Sequence, residues 1–541
     1  MDAVAAVGVE PPGRAEHDEV AGPQPLVGVR RGVGPGPVGD SPVRLDLDDD
    51  PAHAPSGQGG AQQPAGSLDR VDQQLLGSVA QSSSRLDHVR SLSATQRTYR
   101  PRTWQYPGVP GPQGAHMHGI DPAATAWLLA STALVLLMTP GLAIFYGGMV
   151  RTTGVLNMIM MSFISIPLVT VAWLLVGYTM AFSQDGMSGL VGNLRHFGML
   201  GITPDTTHGA VPELLYATFQ LTFAIITAAL VSGAIADRAK FAAWMVFVPV
   251  WTVAVYSVVA HWVWGPGGWL ARLGVLDYAG GLVVEIVSGS SALALALVLG
   301  PRIGFKKDAM RPHNLPLLFV GVGLLWFGWF GFNAGSALAA NGTAAAIFLN
   351  TLVAGCLGML GWLSVEQIRD GRPTTFGAAS GVVAGLVAIT PSCGTVNTLG
   401  ATVVGLAAGV VCSFAVGAKL RFNYDDSLDV VGVHFVGGVV GVSLIGLFAT
   451  AVMTAGPQGL FYGGGVAQLG KQALAIAAVA LYAFTVSFLL AKAIDRVMGF
   501  RVSAEDETTG VDLTQHAETA YAEGVHGHLP QRRPGPGDRL K

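Results

Sequence analysis

Charge is what this sequence has least of. Asp, Glu, Lys and Arg make up 12% of its 541 residues, about half the share of a soluble globular domain. Cysteine is almost missing: Cys356, Cys393 and Cys412 are the whole complement. Their number is odd and none forms a CxxC pair, so neither a disulfide framework nor a zinc site is expected, and small buried hydrophobes is the favoured reading. There is no GxxxxGK[ST] cradle for nucleotide phosphates, no HExxH and no GxSxG elbow, so ATP-driven pumping and hydrolysis lack the residues they need. No cofactor, no metal site and no enzyme activity are expected. A net charge of −3 offers no basic surface to nucleic acid.

What the chain has instead is apolar length. It is 51% hydrophobic and contains 73 glycines, many of them inside apolar stretches, as in membrane helices that pack through small residues. From Pro122 onward, apolar segments recur at the length needed to span a bilayer. We place them at 123–146, 155–181, 212–235, 241–263, 279–299, 315–336, 343–364, 376–391, 396–418, 429–452 and 471–494. The eighth and ninth are short and rich in glycine. The expected fold is an all-α polytopic membrane protein of eleven transmembrane helices, occupying residues 119–497.

The flanks differ in composition. Residues 1–118, typified by PPGRAEHDEVAGPQPLVGVRRGVGPGPVGDSP, are rich in Pro, Gly, Ala, Gln and Asp and cannot bury a core, so a disordered low-complexity extension is expected. Met1 is not followed by a basic stretch and an apolar run, so this is not a signal peptide. Met117 is the candidate start of translation. Residues 498–541 form a polar tail.

Basic residues set the orientation. One family of loops carries Arg151, Arg238, Lys240, Arg302, Lys306, Lys307, Arg311, Arg369, Arg372, Lys419, Arg421, Lys492, Arg496 and Arg501, and the opposite family only Arg195, Arg272 and Lys471. By the positive-inside rule the first family is cytoplasmic. The N-terminus is then outside and the tail inside. Helices one to five and six to ten form two halves, and because five is odd the second is inverted relative to the first. Inverted repeats place a substrate path at the interface between them. Asp277 precedes Glu285 by the same spacing that separates Asp426 from His434, so ionisable residues occupy matching sites in the fifth and tenth helices.

Glu285 and His434 are the two ionisable side chains placed well inside expected spans. A lone buried polar group satisfied by its neighbours is the bland reading; an intramembrane ionisable residue more often marks a path, and these two are matched. They are expected to share a proton or a hydrogen bond across a pore, since either alone is an expensive orphan. In the third helix, Phe219 and Phe223 stand one turn apart. Trp264 ends the fourth at HWVWGPGG, and Phe332 and Ser336 stand one turn apart in GWFGFNAGSAL. Such aromatics are ordinarily core or lipid-facing, or in the case of Trp264 an interfacial anchor. The functional alternative is a vestibule that holds a cation on its ring faces. Spacing does not choose between these readings.

Seven stretches together resemble the ammonium transporter family, the Amt/Mep/Rh superfamily: GLAIFYGGMVR (141–151), ATFQLTFA (217–224), AHWVWGPGG (260–268), LDYAGGLVV (276–284), GFKKDAMRPHNLP (304–316), GWFGFNAGSA (328–337) and DVVGVHFVGG (429–438). GVDLTQHAETAY (510–521) is similar to the family's cytoplasmic tail. The resemblance implies an ammonium and methylammonium transporter of the cell membrane. Phe219, Trp264 and Ser336 fall at its external recruitment site, Phe223 and Phe332 at the stacked aromatic gate, and Asp277 at the aspartate that supports the outer site. His434 falls at the second of two pore histidines. It further implies a homotrimer with one pore per subunit and, in bacteria, a PII-type signal protein docking at the tail. Glu285 departs from the pattern: most members carry histidine there, though some of the fungal branch depart in a similar way. A passive Rh-type gas channel and a sensor acting through a bound signalling partner are the alternatives.

Overall fold

The computed structural model describes residues 119–454 and 456–521. The expected disordered extension with its candidate start Met117, and the tail beyond 521, lie outside the described residues. Among the described residues, ten helices are long and apolar enough to cross a membrane: α1 Pro122–Met149, α2 Val155–Phe182, α3 Glu213–Ile235, α4 Phe241–Leu273, α5 Gly281–Leu299, α6 Leu315–Gly335, α7 Gly342–Asp370, α9 Thr398–Phe422, α10 Val431–Phe448 and α11 Ala467–Met498. The eleventh apolar helix is α8, Thr375–Ile389. Its 15 residues are buried on nearly every side, among α6, α7, α9 and α10, so it needs no lipid-facing length. Two short tail helices follow, α12 Ala504–Thr509 and α13 Val511–His516. A small hairpin, β1 Thr207–His208 with β2 Val211–Pro212, precedes α3.

The two halves are built alike. The first helix of each, α1 and α6, starts with a capping side chain and a proline in its first turn: Asp121 Oδ1 accepts from the Ala124 N–H, and Asn314 Oδ1 from the Leu317 N–H at 2.9 Å. A proline there sacrifices only an N–H that has no helical acceptor. α1 and α6 then pack on each other over most of their length. Gly321 allows this, since a Cβ there would collide with the Phe145 backbone. Close backbone approach is how helices associate when lipid offers no hydrophobic drive between them.

The fifth helix of each half is also built alike. α5 opens with a π-helical turn at Gly281–Ile286, and α10 with one at Val431–Phe435. Such widened turns occur at functional positions. An aspartate precedes each, Asp277 and Asp426, and a glycine follows each ionisable residue by one turn. A Cβ at Gly438 would stand 3.0 Å from the Glu285 Cβ, and one at Gly289 would clash with Phe435. The two helices therefore cross where Glu285 and His434 sit.

One end of the bundle is closed by ion pairs. Arg302 makes a bidentate pair with Asp425 (Nε–Oδ2 2.8 Å, Nη2–Oδ1 2.9 Å) and reaches Asp237, which also receives Arg151. Arg238, fully buried, donates to the carbonyls of Ala234, Ala236, Gly300 and Asp425 and to the Ser427 hydroxyl. The tail docks on this end. Arg501 pairs with Glu507, and Asp512 accepts from the backbone N–H groups of Leu156 and Asn157 at 3.0 and 2.8 Å. Those amides belong to the first turn of α2, whose N–H groups have no helical partners, so the tail caps α2 from a distance. Asp512→Ala is expected to cost about 1 kcal/mol and to speed hydrogen exchange at the amides of residues 156 and 157; unchanged exchange there would mean that water caps α2 equally well.

Candidate functional site

Glu285 and His434 meet. His434 Nδ1 lies 2.7 Å from Glu285 Oε2, and the side chains are 5% and 1% exposed. The pair lines a narrow cavity with apolar walls that include Met138, Leu142, Ile226, Leu325 and Trp329, and it supplies the only ionisable groups in that lining. The space holds about one water-sized molecule. With Nδ1–H donated to an ionised carboxylate, the neutral imidazole turns its other nitrogen, Nε2, into an acceptor. Helix packing fixes the arrangement, because the glycine contacts beside each residue leave α5 and α10 no room to slide.

The aromatic residues form one connected group above the cavity. The rings of Phe223 (α3) and Phe332 (α6) stack with centroids 4.0 Å apart and planes 15° from parallel. Phe332 is part of the cavity lining, so the stack is its roof. Phe219 packs edge-on against Phe223 at 4.8 Å, and Trp264 does so from α4 at 6.2 Å. Phe219 is wholly buried, whereas Trp264 and Ser336 keep partial exposure. The open faces on the far side of the stack are thus those of Trp264 and Ser336, with Phe219 behind them. The Ser336 hydroxyl donates to the Phe332 carbonyl at 2.8 Å, which leaves its oxygen lone pairs as acceptors.

Asp277 ties these parts together without lining the cavity. One carboxylate oxygen accepts from the N–H groups of Gly280 and Gly281 at 2.9 and 2.7 Å, the other from Leu282 and Val283 at 2.7 and 3.2 Å. Its backbone carbonyl accepts the Trp264 indole N–H at 2.8 Å. Burial pushes the Asp277 carboxyl up to about 6, against the pull of the four N–H donors. The charge that starts α5 and the acceptor that orients Trp264 belong to one residue.

Sequence reasoning passed over Tyr146 on α1. Its hydroxyl donates to the carbonyl of Leu230, a cavity residue, at 3.1 Å. Trp329 was passed over as well; it anchors the cavity wall by donating to Thr390 Oγ1 at 2.8 Å. Neither carries a signal in the sequence, since a tyrosine or tryptophan in an apolar run reads as packing. Among the described residues no group of three or more His, Cys, Asp or Glu is placed to hold a metal ion.

A family model described as Ammonium Transporter Family matches residues 126–521. The ammonium transporter of Mycobacterium tuberculosis is 51% identical over 432 residues, covering 74% of this chain and 90% of the relative. That of Bacillus subtilis is 46% identical over 407 residues, covering 74% and 99%. Among solved structures, Saccharomyces cerevisiae Mep2 superposes with a TM-score of 0.68 at 33% identity, covering 72% of this chain and 89% of that one. A structure titled "Sensor Amt Protein" superposes with a TM-score of 0.67 at 27% identity, covering 73% and 98%. The chain is a multi-pass membrane transport protein rather than an enzyme, and it belongs to the ammonium transporter family.

Proposed function

We propose that the chain takes up ammonium and methylammonium through the cell membrane by recruiting the cation, removing its proton above the aromatic stack, and passing ammonia and proton separately. The observation that carries this reading is the Glu285–His434 hydrogen bond inside a cavity that is otherwise apolar. Moving an ion of ammonium's size into such a medium costs several to ~20 kcal/mol. Removing its proton at pH 7 costs ~5 kcal/mol, taking an alkyl-ammonium pKa as a stand-in. Deprotonation is the cheaper route through a dry bore.

Each residue has a role in this reading. Phe219, Trp264 and Ser336 form the recruitment site: the indole face attracts the cation, the Ser336 oxygen accepts one of its N–H bonds, and Phe219 backs the ring that bounds it. Phe223 and Phe332 are the gate, and because their stack leaves no gap it must part for ammonia to enter. Glu285 and His434 relay the proton, titrating as a coupled pair. Asp277 supports the outer site. The basic loops and the tail face the cytoplasm, the N-terminus lies outside, and three copies assemble with one pore each. The tail is the surface for a PII-type partner.

The test is current and labelled methylammonium uptake recorded together on proteoliposomes. An ammonium pulse is expected to drive positive charge inward in proportion to uptake. Uptake without current would overturn the relay and leave a passive Rh-type channel. A sensor reading is favoured by the similarity to the structure titled "Sensor Amt Protein"; a variant dead in transport but intact in signalling would establish it.

A further inference from the structure

Among the apolar walls of the cavity, one side chain carries a polar hydrogen. Trp329 of α6 lines the space and is almost wholly buried. Its indole N–H ends on Thr390 Oγ1 at 2.8 Å, on a residue outside the lining. Thr390 is wholly buried, and its own hydroxyl donates to the Leu386 carbonyl at 2.8 Å. The hydroxyl hydrogen is thereby committed, and the oxygen is left to accept from the indole.

Both ends of this bond are anchored. Thr390 closes α8 directly before Pro391, whose carbonyl accepts the Tyr278 N–H at 3.0 Å; a Cβ at Gly281 would collide with the Pro391 ring. The end of α8 is therefore seated on the start of α5, the helix that carries Glu285. Trp329 packs against the gate ring of Phe332, with centroids 5.9 Å apart. Without its acceptor the indole N–H would be a buried donor with nothing to bond, which is costly. The strong side-chain acceptors in the lining are those of Glu285 and His434. The titratable groups that face Glu285 are His434 of α10 and, beyond the Leu230 carbonyl that it bonds, Tyr146 of α1. α3 and α8 offer the cavity only Ile226, Leu230 and Val383. α4 and α11 meet α5 at Ser291 through the uncharged Trp251 and Ser487.

We propose that Thr390 is a positioning residue for the Glu285–His434 pair: by holding the Trp329 N–H it keeps a competing donor away from the carboxylate and so sets the pH range over which the pair works. Released from Thr390, the indole would donate to Glu285, directly or through the single water that the cavity can hold. A donated N–H favours the anionic form of a carboxylate, so the pair would then take up its proton only at lower pH. The proposal rests on the reading that this pair handles the proton.

Labelled methylammonium uptake into proteoliposomes from about pH 5 to 8, with current recorded alongside, tests it. Thr390→Val keeps the shape of the side chain and removes the acceptor. It is expected to move the pH midpoint of uptake downward by about one pH unit. Thr390→Ala removes the same acceptor and is expected to move it in the same direction, which keeps the test decisive if the valine variant folds poorly. Thr390→Ser restores the acceptor and is expected to keep the unmodified midpoint. Trp329→Phe has no N–H to release, so adding Thr390→Val to it is expected to move the midpoint no further. An unmoved midpoint in folded Thr390→Val or Thr390→Ala, or an equal movement on the Trp329→Phe background, would overturn the assignment. Absence of current in the unmodified protein would overturn the relay instead, and the uptake midpoint would still decide the role of Thr390.

Discussion

Asp277→Ala is expected to abolish ammonium uptake and to destabilise the folded protein by about 4 kcal/mol or more. The figure follows from counting donors. Four backbone N–H groups at the start of α5 end on this carboxylate, and each one left buried and unpaired costs about 1–3 kcal/mol. Gly280 holds a φ of +124° at the sharp entry to α5, so the turn has little freedom to find other acceptors. Loss of the charge also frees the segment whose carbonyl holds the Trp264 indole. Recruitment and the placement of Glu285 therefore fail together. Asp277→Asn is expected to fall between, since its amide supplies one acceptor and sets an N–H₂ group against the remaining donors. Thermal unfolding in detergent, followed by intrinsic tryptophan fluorescence, and uptake per folded protein would show this. An alanine variant with near-normal stability and uptake would mean that water replaces the carboxylate and that Asp277 is dispensable.

The contrast between Asp277 and the aromatic residues shows what was legible in the sequence. The apolar helices follow from run length alone, and α8 ends where its short glycine-rich segment suggests. Glu285 and His434 stand out because charge is scarce and any ionisable group in a span is expensive. The repeat is visible as a spacing, Asp277–Glu285 against Asp426–His434, whereas Gly289 and Gly438 join the pattern only once α5 and α10 are seen to cross. The ring stack was not legible from spacing, because Phe223 and Phe332 lie on helices from different halves and their parallel faces are a property of the packing; only the family resemblance pointed to it. Phe219 and Trp264 both read as aromatics that are ordinarily core or lipid-facing, yet one is wholly buried and the other is partly open. The tail divides in the same way. The polar tail carries a helix start that went unread, Ser503 accepting the Asp506 N–H at 3.0 Å. Nothing local announces that Asp512 reaches α2, because that contact joins segments far apart in the chain.

The second large effect is expected at Glu285. Glu285→Leu removes the carboxylate that faces His434 Nδ1 and leaves an imidazole donor with an apolar neighbour in a cavity that has no other ionisable lining. Current is expected to fall by about 10²–10⁴-fold, the range for loss of a proton-transfer group, while the fold survives because leucine suits the walls. Glu285→His is expected to keep transport, since two imidazoles can still exchange a proton, but to move its pH profile, because a carboxyl and an imidazole titrate in different ranges. The pair acts as a unit, so Glu285→Leu combined with His434→Ala should cost little more than either change alone. Current–pH curves for the single and double variants, normalised to labelled methylammonium uptake, give the coupling directly. Effects that simply add would mean that the two side chains serve separate purposes, and an unmoved pH profile in Glu285→His would take the carboxyl out of the proton's path.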